Sequence, residues 1–251
     1  MTSTIKNIAV YCVSFNSDKE LEQYRASLLK AAEKAGDSVT VDIFVARNSK
    51  KDNPGYFGGI RRQMREHDPA GYDYSIISNV DITVDEDFFV RLAGHTWADD
   101  TGWIAPQIWS QAEQRDRNPK ILERYALRKL QILRLFYRFP ILDTLYTRTF
   151  YRKKKYERHE AGDIYAGHGS FIILTRRYFE QCGIVNYPVF LFCEEIYLAE
   201  QCRQAGLRVS YDPTLRVCDS EHASTGHMRH SFYCRCNYEA MQYIISTYYG
   251  G

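Results

Sequence analysis

The sequence predicts an α/β fold: a mostly parallel sheet flanked by helices. Three observations carry this. Short apolar, β-branched runs alternate with segments of helical period from Asn7 to Asp81. The runs follow one another at the spacing that a strand, a crossover helix and the next strand require. Each run also stops at polar residues, as strands do when their ends face a crevice.

Taken in order, "NIAVYCVSF" (Asn7–Phe15) reads as a buried strand that ends at Asn16-Ser17-Asp18. Ser17 or Asp18 is placed to cap a helix whose apolar positions Leu21, Tyr24, Leu28 and Ala31 or Ala32 recur at helical spacing, with Gly36 as its stop. "VTVDIFVAR" (Val39–Arg47) is the second strand, "NSKKDNPGYFGG" a loop and "IRRQMREHD" a helix. "DYSIISNVD" is the third strand, "DEDFFVRLAGH" a short helix and "TGWIAPQIW" a further strand. In the stretch after it, Lys120, Arg124, Arg128, Gln131, Arg134 and Arg138 fall on one helical face, opposite Leu122, Tyr125, Ala126, Leu130, Leu133, Phe136 and Tyr137, up to a break at Pro140. A second basic cluster follows at Arg152–Arg158. "YAGHGSFIILTRRYFEQCG" reads as a glycine-containing turn, a strand and a helix. "FLFCEEIYLAEQCRQAG" is an acid-led helix, "LRVSYDP" a short strand, "EHASTGHMRHS" a polar loop and "FYCRCNYEAMQYIISTYY" a final helix.

The chain has 251 residues, 45% hydrophobic and 25% charged, ordinary for a soluble protein with a substantial core. It shows no internal repeat and no low-complexity linker, so one domain is expected. A net charge of +2 argues against a general polyanion binder, and no nucleic-acid motif is present. The charge is uneven: residues 111–160 hold 14 Lys/Arg against 6 Asp/Glu. Two readings of this basic stretch are open, a helix packing its apolar side on the core or one docking on anionic lipid. The seven cysteines, odd in number and without a C-x-x-C pair, read as reduced thiols in a cytoplasmic protein. The opening residues do not form a signal peptide, and no apolar run is long enough to span a membrane.

Asp81, just past a strand end, is a carboxylate held rigidly beside a crevice. Alone it reads equally as a surface acid at a turn. Glu194-Glu195 at a helix start are favoured by the helix dipole whatever else they do. Gly167-His168-Gly169-Ser170 is a strand-entry turn, and the glycines of Asn53-Pro54-Gly55-Tyr56-Phe57-Gly58-Gly59 permit a tight connection.

The ordered combination Ser14-Phe15-Asn16, Arg47-Asn48-Ser49, the Asn53–Gly59 loop, Asn79-Val80-Asp81, Gly167-His168-Gly169 before Arg176-Arg177, Glu194-Glu195 and His222-Ala223-Ser224 resembles the family 2 inverting glycosyltransferases of GT-A fold. The likeness is to the bacterial polysaccharide and rhamnosyltransferase-like branch and runs from about residue 7 to 225. It implies a nucleotide-sugar half at about 1–110, a basic helical insertion at 111–160 and an acceptor and catalytic half at 161–251. By the same resemblance, Asp81 and His222 would hold Mg²⁺ or Mn²⁺ against the diphosphate of the donor. Ser14, Phe15, Asn16, Arg47, Asn48, Gly55, Tyr56, Gly58, Arg61, Asn79 and Val80 would lie along that donor, and Gly167, His168 and Gly169 beside the acceptor. The general base would be Glu195, with Glu194 the other candidate. The sequence departs from the pattern at Arg47, where the family has an Asp that accepts from the nucleobase, because Arg accepts no hydrogen bond. It departs again at Glu195, which is one methylene longer than the usual Asp.

The implied activity is transfer of a sugar to a hydroxyl of a glycan or lipid-linked acceptor in bacterial surface polysaccharide synthesis, on the inner face of the cell membrane. The rival is a non-catalytic relative that binds glycan or nucleotide sugar or acts in assembly. A nucleotidyltransferase would need a basic, glycine-rich loop after the first strand, which "SFNSDKELEQ" is not. The sequence leaves the oligomeric state open.

Overall fold

The computed structural model describes residues 5–149, 158–220 and 228–250; side chains of 146–149 are left aside. Among the described residues, nine strands form one sheet. Its main path runs β2 (Val39–Asn48), β1 (Lys6–Phe15), β3 (Tyr74–Ser78), β8 (Phe171–Thr175), β5 (Thr101–Ser110), β9 (Arg208–Asp219) and β4 (Ile82–Val84). Two short strands, β6 (Arg115–Asp116) on β5 and β7 (Gly162–Ile164) on β9, lie off this path. β1 pairs in parallel with β2 and β3, and β5 with β9; β8 and β4 run against their neighbours.

β1 reads as an unbroken apolar run because both its faces are covered. Ala9 and Tyr11 face one core and Ile8, Val10 and Cys12 the other, all fully buried. The second core is closed by α1 (Asp18–Ala35), through Leu21, Tyr24 and Leu28, and by α3 (Phe88–Gly94). The first is closed by α2 (Tyr56–Glu66), α6 (Arg176–Cys182), α7 (Glu194–Gln204) and α8 (His230–Tyr248). Ser17 holds the N-cap position of α1 without capping it; its hydroxyl donates to the Phe15 carbonyl at 3.1 Å. All seven cysteines are free thiols.

Four details differ from the sequence expectation. The loop expected through Gly59 is helix from Tyr56. Its glycines let α2 lie against the sheet, since a Cβ on Gly59 would sit 3.1 Å from Val13 Cγ2 and 3.2 Å from Ala46 Cβ. The short strand expected at Leu207–Pro213 continues to Asp219. Its pairing with β5 jumps from Asp212 to Arg216, an irregularity that accommodates Pro213.

The third difference lies in the basic stretch, where the helix α4 begins only at Leu127 and ends at Arg138. Ile121 instead bridges to Ala166, so Lys120 and Arg124 are not on a helix face. Arg124 turns inward, donating from Nε to fully buried Glu200 at 2.6 Å and lying 3.8 Å over the Tyr249 ring. Finally, Pro140 ends one helix and opens another, α5 (Pro140–Thr149), as proline at a first helical turn can. α4 and α5 pack on α8. The cluster at Arg152–Arg158 lies outside the described residues except for Arg158.

Candidate active site

The strand directions bring distant segments to one edge of the sheet. β1, β2 and β3 end there at Phe15, Asn48 and Ser78. β8 is reversed, so its beginning arrives at the same edge: Ser78 pairs with Phe171, and the Asn79 N–H donates to the Ser170 carbonyl at 2.9 Å. β5 and β9 both finish there, with Ser110 opposite Asp219. Asp219 also faces Ile82, the neighbour of Asp81. A cleft of about 630 Å³ opens over this rim.

Of the residues singled out in the sequence, Phe15, Asn48, Gly55, Tyr56, Asn79, Val80, Asp81, His168, Gly169, Glu194 and Glu195 line the cleft. Ser14 does not line it and is 4% exposed. Asn16 is exposed at the rim with φ of 55°. Arg47 points to Asp18, its Nη1 2.6 Å from Oδ1. Arg61 donates to Asn186 Oδ1 at 2.8 Å, and its neighbour Arg62 pairs with Asp52 at 2.7 Å. Gly58 lies inside α2, where a Cβ would come 2.8 Å from Pro54 Cβ. Gly167 packs on the sheet, with a Cβ 2.8 Å from that of Ala105 and 2.9 Å from Trp103 Cζ2. His222 lies outside the described residues.

The loop before α2 is fixed from within. Asn48 Nδ2 donates to Asn53 Oδ1 at 3.1 Å and to the Gly55 carbonyl at 3.2 Å. Gly55 has φ of 85°, and a Cβ there would strike the Phe190 carbonyl oxygen. Tyr56 reaches across the cleft, its hydroxyl donating to the Gly169 carbonyl at 3.1 Å.

Glu194 and Glu195 are delivered by unusual backbone. Phe192 and Cys193 have φ of 73° and 59°, a left-handed turn that costs bulky residues on the order of 1–3 kcal/mol each. Tyr187, 2% exposed, holds this turn by donating its hydroxyl to the Phe192 carbonyl at 2.7 Å. The helix then starts at Glu194, with both acids in its first turn. Gly169 meets both of them: its N–H donates to Glu195 Oε1 at 3.4 Å, and a Cβ would lie 2.6 Å from Glu194 Oε1. Burial, and then the adjacent Glu195, push the Glu194 carboxyl up to about 8.

His168 faces a group of cations. Its Nδ1 accepts the Ser170 N–H at 3.1 Å, and its own backbone N–H donates to Asn118 Oδ1 at 2.7 Å. Burial, then Lys120, Arg117 and Arg115, hold the ring well below the usual histidine pKa. A neutral ring that accepts at Nδ1 carries its proton on Nε2, so His168 presents a donor.

Sequence reading missed three charged residues in the cleft: Arg117, Lys120 and Asp219. Arg117 Nη1 contacts Asp219 Oδ2 at 2.8 Å, with Asp219 2% exposed. Asp116 anchors that segment, accepting from Tyr211 Oη at 2.6 Å and from the Asn118 N–H at 2.8 Å. Asp219 carried the signal that marked Asp81, a carboxylate where an apolar strand ends. Adjacent strands thus supply two carboxylates to one cleft, hard oxygen donors of the kind that Mg²⁺ and Mn²⁺ take. Ser220 fixes the Asp81 backbone, its N–H and hydroxyl donating to the Asp81 carbonyl at 3.1 and 3.0 Å.

The architecture and the strand-end cleft together define the GT-A fold of glycosyltransferase catalytic domains. The chain is similar to the catalytic domain of Drosophila β1,4-galactosyltransferase 7 in complex with xylobiose, at 14% identity and a TM-score of 0.54, over 92% of this chain and 80% of that one. A mutant of that enzyme with manganese, UDP-Gal and xylobiose matches at 14% identity and a TM-score of 0.52, over 90% of this chain and 75% of that one. GalNAc-T7 with UDP, GalNAc and Mn²⁺ matches at 12% identity and a TM-score of 0.58, over 97% of this chain, which spans 48% of that one. No family model and no curated protein sequence matches the chain.

Proposed function

We propose that the chain is an inverting, metal-dependent glycosyltransferase that moves a sugar from a nucleoside diphosphate to an acceptor hydroxyl. One observation carries the reading: Asp81, Asp219, Glu194, Glu195 and the turn at Gly169 line a single cleft at the strand ends. Solved proteins that share the fold hold UDP-Gal with manganese, and UDP with Mn²⁺.

The donor would lie along Phe15 and Asn48 and on Asn79–Asp81. Asp81 and Asp219 would hold the divalent cation, with His222 a further ligand on the sequence resemblance. Such an ion neutralises charge on the departing diphosphate. Arg117 and Lys120 add positive charge on the same side. Glu195 takes the proton of the acceptor hydroxyl, whose oxygen bonds to the anomeric carbon as the bond to the diphosphate oxygen breaks from the opposite face. Burial and then the adjacent Glu195 raise the Glu194 carboxyl, which disfavours two charges side by side; Glu195, which the Gly169 N–H contacts, is assigned as the base. His168 Nε2–H is available to hydrogen-bond the acceptor.

The acceptor is a glycan or lipid-linked glycan, in the setting of bacterial surface polysaccharide assembly. Support for a lipid-linked acceptor comes from α4 and α5. Ile132, Leu135, Phe139 and Ile141 are 45%, 49%, 49% and 82% exposed, with Arg128, Lys129 and Arg138 exposed on the same segment. An apolar face with flanking cations suits the interface of an anionic bilayer. Among the described residues, no helix is long and apolar enough to cross a membrane.

The test is turnover against a panel of sugar nucleotides with Mn²⁺. Wild-type protein releases nucleoside diphosphate from one of them. Asp81→Ala and Glu195→Gln each lower the rate by about 100-fold or more. A donor that stabilises wild type, by about 2.7 kcal/mol at 100 times its Kd, yet is neither hydrolysed nor transferred would replace this reading with the non-catalytic one.

A further inference from the structure

Away from the cleft carboxylates, α5 and α8 bring together three side chains with different donor atoms. Asp143 Oδ2 lies 2.8 Å from His230 Nε2 and 3.9 Å from Cys234 Sγ, and that Sγ lies 3.5 Å from the same Nε2. His230 and Cys234 are one helical turn apart and so share a face of α8. Asp143 comes from α5, on the other side of the gap.

Two ordinary explanations of such a cluster are an ion pair beside a buried thiol and a proton relay. A relay needs acid and thiol on opposite nitrogens of the ring, as in nucleophile–base–acid triads. Here both meet Nε2, so the histidine cannot pass a proton between them in that way. An ion pair accounts for Asp143 and His230, but not for the convergence of the thiol on the same two atoms.

A tetrahedral Zn²⁺ does account for it. With bonds of about 2.3 Å to sulfur and about 2.0 Å to nitrogen and oxygen, it separates its ligand atoms by about 3.3–3.5 Å. The three observed edges bracket that range. The chemistry selects among metals as well: thiolate, imidazole and carboxylate together suit zinc, whereas Mg²⁺ and Mn²⁺ prefer oxygen. Binding would release the thiol proton to solvent, leaving thiolate and carboxylate to balance the dipositive ion. Cys234 is 1% exposed, whereas the His230 side chain is 48% exposed, which leaves solvent access for a fourth ligand.

We propose that Asp143, His230 and Cys234 form a zinc site, completed by water, that staples α5 to the first turn of α8. Met228 and Phe232, on either side of His230, line the cleft. The staple therefore fixes one of its walls without taking part in it.

The experiment uses full-length protein stripped with chelator and titrated with Co²⁺ and then Zn²⁺. Wild type takes up about one equivalent of Co²⁺ with a thiolate charge-transfer band and the intense visible bands of a tetrahedral ion, and Zn²⁺ displaces it. Cys234→Ser loses the charge-transfer band. His230→Gln and Asp143→Asn weaken Zn²⁺ binding by about 10-fold or more. Asp81→Ala keeps the band, which separates this site from the cleft and makes the result independent of any turnover. His230→Gln, at an exposed helix start, serves as the folded control if Cys234→Ser misfolds. A wild type with no thiolate–Co²⁺ band, or variants with undiminished Zn²⁺ affinity, would overturn the proposal.

Discussion

The backbone N–H of Gly169 donates to Glu195 Oε1 at 3.4 Å, and a Cβ on Gly169 would lie 2.6 Å from Glu194 Oε1. One glycine therefore seats both acids. Gly169→Ala pushes against the far end of a flexible side chain, so the fold survives while the acids move. The expected result is a fall in kcat of about 10-fold or more, with nucleotide affinity close to wild type and a melting temperature within a few degrees. Unchanged kcat would detach Gly169 from the catalytic geometry.

Glu194 gives stability a pH signature. Its carboxyl is raised from 4.5 to about 8 by burial and then by Glu195. Between those values the folded state binds more protons than the unfolded state, so stability falls as pH rises through the window. Glu194→Gln removes this slope. Unfolding free energies from denaturant melts at about pH 5 and about pH 8.5 should converge in the variant, relative to wild type, by on the order of 1–3 kcal/mol.

The Arg124 side chain is 36% exposed, yet it is tied to a fully buried acid rather than free in solvent. Glu200 is fully buried and accepts from Arg124 Nε at 2.6 Å, Tyr165 Oη at 2.7 Å and Arg203 Nε at 2.9 Å. Although burial is the largest influence on Glu200, its pKa is lowered by these partners together, Arg124 first among them. The stability Glu200 contributes is thus present above its unfolded value and lost as pH falls through the lower folded one. Arg124→Ala should cost about 2 kcal/mol at neutral pH by chemical denaturation, and less once Glu200 is protonated. An equal loss at acidic and neutral pH would assign the cost to packing on Tyr249 instead.

Membrane docking through α4 and α5 predicts sedimentation with vesicles containing anionic lipid but not with purely zwitterionic ones. Leu135→Asp and Ile141→Asp, both at exposed positions, should lower the bound fraction by about fivefold or more without changing turnover of a soluble acceptor. Equal binding to both vesicle types would leave the exposed face without a lipid role.

Much of this was legible in the sequence where a residue's role depends on its own segment. β1 announces itself because both faces are apolar, and Asp81 because it stops a strand. What was hidden depends on partners far along the chain. Side-chain period is the same in either strand direction, so nothing local reveals that β8 is reversed. Pro213 reads as a strand stop, although β9 passes it through an irregular register, and with that the second strand-end acid, Asp219, went unseen. Gly58 and Gly59 look like loop, yet the missing side chain of Gly59 brings α2 close to Val13 and Ala46, and that of Gly58 leaves room for Pro54. Lys120 and Arg124 keep helical spacing with the residues after them, but the Ile121–Ala166 bridge takes that segment out of the helix.

The reversal of β8 has one more consequence. Because the Asn79 N–H bonds the Ser170 carbonyl directly, the turn that carries Gly169 is pinned to the segment that leads to Asp81, just past the last rung of the β3–β8 ladder. Interstrand spacing is among the stiffest rulers a protein owns. Related chains that handle larger or smaller sugars have little freedom to retune this distance. They should vary instead along Phe190–Phe192, the wall that no strand holds in place.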